Sequence, residues 1–345
     1  MPTPDITRRI LLAAGAVALP ALVAALDSGS DEIDAAECIA SNDPARELCP
    51  SDEEARRVLA RQAGFLCEVR GATFVGFEDG SCCYTVETLC EGIGCSCAHG
   101  RPLRVRGRVR HAALSPRARA WFDAELPAPR LAGLSSAERG RLAHYWGSIA
   151  LHEHASMPTF HRLARELRAL GAPVALQRAA RLGIDDEARH ARLAFTLASH
   201  YAGARLGPAR LSPPRSGPAS ITGLARRNLR EGCLDECRSL AAAVTMRQSA
   251  SDPAVVQVLD TIVADETRHA ELSWSILRWA LQADPRRVRR ALRSELGRRS
   301  RAVEVSDQAT VPSHGCLADS TLVAAADRFE GGVLRRVAGG VLAGR

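Results

Sequence analysis

Four apolar stripes at helical spacing run through the middle of this chain, and each has a glutamate at its centre. The first follows a Ser135/Glu138 capping-box spacing and contains Leu142, Trp146, Ile149, Ala150, Met157, Phe160, Ala164 and Leu167, with Glu153 among them. Gly171-Ala172-Pro173 ends it. The second, from about Val174 to Ala202, carries Glu187 and His190 between Gly183 and Ala191. A Pro/Gly/Arg-rich stretch from Gly203 to Gly217 reads as a crossing loop. The third, from about Ala219 to Ser249, carries Glu236; the fourth, from Asp252-Pro253 to about Leu281, carries Glu266 and His269. A carboxylate buried without compensation is costly or takes up a proton, so four on one core, with two histidines, call for a cation.

A divalent metal is the economical cation. Glu and His three apart project from one side of a helix, and two such helices plus two single glutamates can hold a pair of ions with shared carboxylates. The order Glu153, Glu187-Ala188-Arg189-His190, Glu236, Glu266-Thr267-Arg268-His269 resembles the ligand pattern of the ferritin-like di-iron carboxylate superfamily. The resemblance covers about Ser135 to Asp284 and implies a mainly α fold, a four-helix bundle with a long crossover. Both halves read Asp-Glu-x-Arg-His, similar to the repeated motif of bacterial multicomponent monooxygenases. That similarity implies that Asp186 and Asp265 orient metal-bound imidazoles.

Helix three leaves two candidates. At 100° per residue Glu236 falls on the apolar side, and Glu231 groups with Arg227, Asp235 and Arg238 on the polar side. Family-like spacing favours Glu231 instead, and a π-bulge would bring both inward. The helix face favours Glu236. Cys233 and Cys237 read as small core residues, and His152, His154 and His161 lie off the stripe and are expected in solvent.

The flanks are of another kind. Eight of the 11 cysteines lie between Cys38 and Cys97, a density that in an exported protein means a disulfide framework; zinc is the rival, without paired C-x-x-C knuckles. Ala72–Phe77 and Cys82–Val86 read as a hairpin, and Leu103–Val109 as a further strand. Arg8-Arg9 before an apolar run to Leu26 resembles a twin-arginine export signal, with cleavage after about Ala25 and a periplasmic or cell-envelope destination. The expected organisation is a signal at 1–25, a Cys-rich, strand-containing module at 26–134, the helical domain at 135–284 and a helical or irregular tail at 285–345.

The formal net charge is +7, yet every basic residue is arginine, scattered rather than clustered. Such a pattern predicts solvated helix faces and no nucleic-acid partner, and the Pro-broken apolar run predicts no stable membrane insertion after signal removal. A carboxylate-rich, two-histidine site suits two iron ions, with manganese as the alternative. The expected function is that of an oxygen-activating oxidoreductase working on a small-molecule substrate with an electron donor. Alternatives are iron handling by ferrous oxidation, and a metal staple inside an exported interaction protein.

Overall fold

The computed structural model describes residues 35–40, 51–63, 68–78, 81–89, 100–105, 108–116, 118–212, 217–296 and 309–328. The export signal at 1–25 and Cys90, Cys95 and Cys97 lie outside them. The chain is mainly helical and divides into two units, one spanning Asp27–Ile93 and the other containing the described residues from Gly100 onward. Residues 100–134, expected with the Cys-rich module, therefore belong to the helical unit. They do so because their apolar side chains, Leu103, Ala112 and Leu126, are buried there.

In the smaller unit, β1 (Ala35–Ala40), β2 (Glu68–Glu78) and β3 (Ser81–Leu89) form an antiparallel sheet in the order β1-β3-β2, with helix α1 (Asp52–Ala63) between β1 and β2 in sequence. The β2/β3 hairpin contains both runs that the sequence singles out, and Cys82 on β3 is buried and disulfide-bonded.

The larger unit opens with short strands. The run Leu103–Val109 is not one strand: β4 (Arg104–Val105) and β5 (Arg108–Val109) pair antiparallel with each other. Next, β6 (Leu114–Ser115) pairs with β7 (Gly207–Pro208), fastening the crossing loop to the segment that precedes the helices.

Four long helical rods follow. α2 (Ser136–Ala169) begins at the Ser135/Glu138 capping box, in which each side chain bonds the other's backbone N–H. α3 (Val174–Ala202) ends at Gly203, whose φ of 65° is the left-handed cap that glycine adopts most readily. The third rod is α4 (Ile221–Arg227), a π segment (Asn228–Asp235) and α5 (Glu236–Ser249), joined through residues in helical conformation. α6 (Pro253–Ala283) has proline at its first position and Asp252 as cap, accepting from the Ala254 and Val255 N–H groups. α7 (Pro285–Leu296) adds Val288 and Leu292 to the core. The expected tail also closes on the helices: Trp146 donates to the His314 carbonyl, and Tyr201 Oη lies 2.7 Å from His314 Nδ1.

Apolar clusters bracket a polar layer. On α2, Leu151 and the residues before it join one cluster, and Phe160, Leu163 and Leu167 join another. On α3 the same two clusters claim Ala191 onward and Ala180. Glu153 and Glu187 fall in the gap between them. No helix among the described residues is long and apolar enough to cross a membrane.

Gly183 of α3 lies hard against Phe160 of α2. A Cβ there would lie 2.5 Å from the Phe160 ring, which packs 4.8 Å from the His269 ring. Glycine to alanine inside a helix normally stabilises by about 0.5–1 kcal/mol. Gly140, on the exposed side of α2 with nothing within 4 Å, should obey that rule. Gly183→Ala should break it, costing about 1–3 kcal/mol through overpacking. Denaturant melts of the two variants check the opposite signs.

Candidate metal centre

Six side chains meet in the polar layer, each carried by a rod whose apolar neighbours fix its direction. Glu187, Glu236 and Glu266 are wholly buried, and Glu153 and His269 are 2% exposed, with His190 at 0%. Their ligand atoms form two overlapping groups, Glu153, Glu187, His190 and Glu266, and Glu187, Glu236, Glu266 and His269, with the atoms in each within 4.8 Å of one another. Glu187 and Glu266 belong to both. Either group could hold a metal ion.

The hydrogen bonding tests that fit. His190 Nε2 lies 3.0 Å from Asp265 Oδ2 and His269 Nε2 lies 3.3 Å from Asp186 Oδ2, so each imidazole on α3 or α6 meets an aspartate of the other helix. Since a carboxylate only accepts, Nε2 carries the proton in each ring and Nδ1 presents a lone pair in the neutral form. His269 Nδ1 is 3.4 Å from both Glu187 Oε1 and Glu266 Oε1. His190 Nδ1 is 3.7 Å from Glu153 Oε2 and from Glu266 Oε1. None of these pairs is hydrogen-bonded, and both oxygens of Glu187, Glu236 and Glu266 are buried without a hydrogen bond. Acceptors facing acceptors in a dry interior are the arrangement that a cation completes.

Electrostatics says the same for the metal-free protein. Burial pushes the Glu187 carboxyl well above its usual range, and the neighbouring Glu153 and Glu266 charges add to it. Burial and Glu266 do the same to Glu236, while Glu266 is raised to about 7, burial again leading. For His190 burial favours the neutral ring, but the bond to Asp265 and the nearby Glu153 and Glu266 carboxylates outweigh it and raise the imidazole to about 10. Without metal the layer thus compensates itself by retaining protons, and these must leave when an ion enters.

The aspartates are themselves held. Arg189 donates to Asp186 Oδ1 at 2.5 Å and also bonds Asp265; Arg268 reaches Asp265 Oδ1 at 2.5 Å and Asp186 Oδ2 at 3.1 Å. Burial opposes ionisation of Asp186, yet the His269 and Arg189 bonds keep its carboxyl down at about 2. Both arginines occupy the same place in the two Asp-Glu-x-Arg-His runs, a repeat visible in the sequence, but their role needed the crossing of α3 with α6 to be seen.

Helix three resolves into separate duties. Glu236 joins the metal-capable group and Glu231 does not. Glu231 is nonetheless 4% exposed, not on a solvated face as its α-helical angle predicts. In an α-helix residues five apart are separated by about 140°, whereas the π segment, bonding i to i+5, draws them toward one side. Glu231 there pairs with Arg162 of α2 at 2.5 Å. Two of the off-stripe histidines also differ from expectation: His152 is half-buried with Nδ1 2.9 Å from the Ser148 carbonyl, and His154 is half-buried edge-on to Trp121. They are covered because residues before α2 fold back over it. His161 is exposed, and Cys233 and Cys237 are buried core residues outside any disulfide.

Two measurements check this assignment. Glu236→Ala should lower metal occupancy, whereas Glu231→Ala should leave occupancy near normal and cost about 1.5–3 kcal/mol, the range for a charged hydrogen bond; elemental analysis beside denaturant melts separates the two effects. Asp186→Asn and Asp265→Asn should each weaken metal binding about 10- to 100-fold, as loss of an orienting partner does elsewhere, with little change in far-UV circular dichroism.

No protein-family model matches this chain, and no curated protein or solved structure matches it either.

Proposed function

We propose that the four rods form a ferritin-like four-helix bundle whose polar layer binds two iron ions, with manganese as the alternative, and that the protein is an oxygen-dependent oxidoreductase. The observation that carries this reading is the paired imidazole geometry: His190 and His269 each give Nε2 to an aspartate of the opposite helix and leave Nδ1 facing carboxylate oxygens. A bound iron pair would supply electrons to dioxygen and oxidising power toward a substrate.

The chain's own residues would do the rest. Glu153 and His190 of one group, Glu236 and His269 of the other, and Glu187 and Glu266, which belong to both groups, would hold the ions. Asp265 and Asp186 fix the tautomer and direction of the two rings, and Arg189 and Arg268 hold those aspartates ionised. Phe160 and the apolar clusters keep water out, which strengthens every charge interaction inside.

One observation favours a second reading, in which ferrous iron itself is what is oxidised. Gly100 lies over the layer so closely that a Cβ on it would be 3.5 Å from both Glu153 Oε2 and Glu187 Oε1. The nearby recess lined by Arg101, Thr159, Arg162 and Asn228 has a volume of only about 10 Å³, far below a typical organic-ligand pocket of roughly 300–1,000 Å³. A small reactant suits such a space better than a large one.

Anaerobic ferrous loading followed by oxygen tests both. Close to two irons per chain, retained after oxidation, is the expected result. Continued oxidation of many irons per chain would select the second reading, and only trace metal in a folded helical protein would overturn both.

A further inference from the structure

The polar layer holds one more buried charge, and it is a cation. Arg101, 2% exposed, enters from the segment before β4, and its Nε lies 3.0 Å from Glu236 Oε1. The approach is close but too poorly aligned for a hydrogen bond, so it is a contact of charges. Nη2 carries the directed bonds, to Ser273 Oγ at 2.6 Å and Asn228 Oδ1 at 3.2 Å, and Cζ sits 5.1 Å from the centre of the Phe160 ring.

This position is built, not incidental. A Cβ on Gly232 in the π segment would lie 2.3 Å from Arg101 Nη2 and 2.5 Å from Ser273 Oγ, so only glycine leaves room for the guanidinium. Gly100 has a φ of 50°, donates its N–H to Ser239 Oγ at 3.0 Å, and would bring a Cβ to 2.9 Å from Ser156 Oγ. Thr159 Oγ1 meets the Arg101 carbonyl at 3.2 Å, and Arg104 Nη2 pairs with Asp235 at 3.3 Å. Hydroxyl and amide groups from three of the four rods thus receive one short segment.

A guanidinium does not give up its proton inside a protein. An ion held by Glu187, Glu236, Glu266 and His269 must therefore share the Glu236 carboxylate with a permanent positive charge, in an interior where like charges repel strongly. The two ligand sets look alike, one shared pair of glutamates with an end glutamate and a histidine each, but only one of them contains Glu236. We propose that Arg101 is a resident counter-cation of Glu236 that makes the Glu236/His269 position the weaker and later-filled of two unequal metal positions. This rests on the metal reading above and adds to it an order of filling and the residue that sets it. Because Arg101 is seated through Gly100, Gly232 and Ser273, filling the second position is also coupled to where the Gly100–Arg101 segment lies.

The test is a calorimetric and optical titration of the metal-free full chain with cobalt(II) under anaerobic conditions. Wild type should bind two ions, the second at least tenfold more weakly. His269→Ala should abolish the weak step and keep the tight one, and His190→Ala should abolish the tight step. Arg101→Gln should tighten the second ion at least tenfold, whereas Arg101→Lys, which keeps the charge, should preserve the gap. Two equal steps in wild type, loss of the tight step in His269→Ala, or an unchanged or weaker second ion in Arg101→Gln would each overturn the proposal while leaving a two-metal centre standing. No cobalt bound by wild type would overturn the metal reading and this one with it. Should Arg101→Gln not fold, the two histidine variants still decide, since they retain Arg101.

Discussion

Four glutamates and two histidines enclosed between apolar clusters are the constraint to which the rest of the helical unit answers. An uncompensated carboxylate in such a place costs several kcal/mol, and this layer carries four, three in each of two overlapping groups. Protons, arginines or metal ions can meet that cost. The structure uses the first two in ways that leave room for the third. Its carboxyls are pushed up by burial, and its imidazoles turn their free nitrogens inward.

The support around the layer is nearly two-fold in character. Each Asp-Glu-x-Arg-His run contributes a shared glutamate, an imidazole, the aspartate that orients the other run's imidazole, and an arginine that touches both aspartates. Such reciprocal bonding locks α3 to α6 at one register, because sliding either helix by a turn would break both imidazole bonds together. The same contacts set ring orientation and helix packing, so the centre and the fold are stabilised by one set of interactions.

Departures from that symmetry come from the third rod and from the segment before β4. The π segment turns Glu231 inward to Arg162, opens the space at Gly232, and presents Asn228 to Arg101. A regular α-helix through these residues would leave Glu231 outside and would not seat the guanidinium. Local helix irregularity of this kind is commonly retained where a site needs it. Here it seats a fixed positive charge beside Glu236.

Much of this was written in the linear chain. Helical periodicity located the rods to within a few residues, the Ser135/Glu138 box and Asp252-Pro253 marked two starts, and the position of each glutamate within its stripe put Glu153, Glu187, Glu236 and Glu266 inside. These features are local, decided by side-chain angle along one helix. What tertiary structure alone decided are the contacts between elements far apart in sequence. They include the pairing of each histidine with the aspartate of the other helix, the burial of Glu231 by the π segment, the covering of His154 by Trp121, and the passage of Arg101 to Glu236 across more than a hundred residues. A helical wheel assumes 100° per residue and no visitors, and it fails where the ladder shifts to i to i+5 or a distant loop enters the core. The sequence determined that four carboxylates must be buried together; the packing of the rods decided which cations share them.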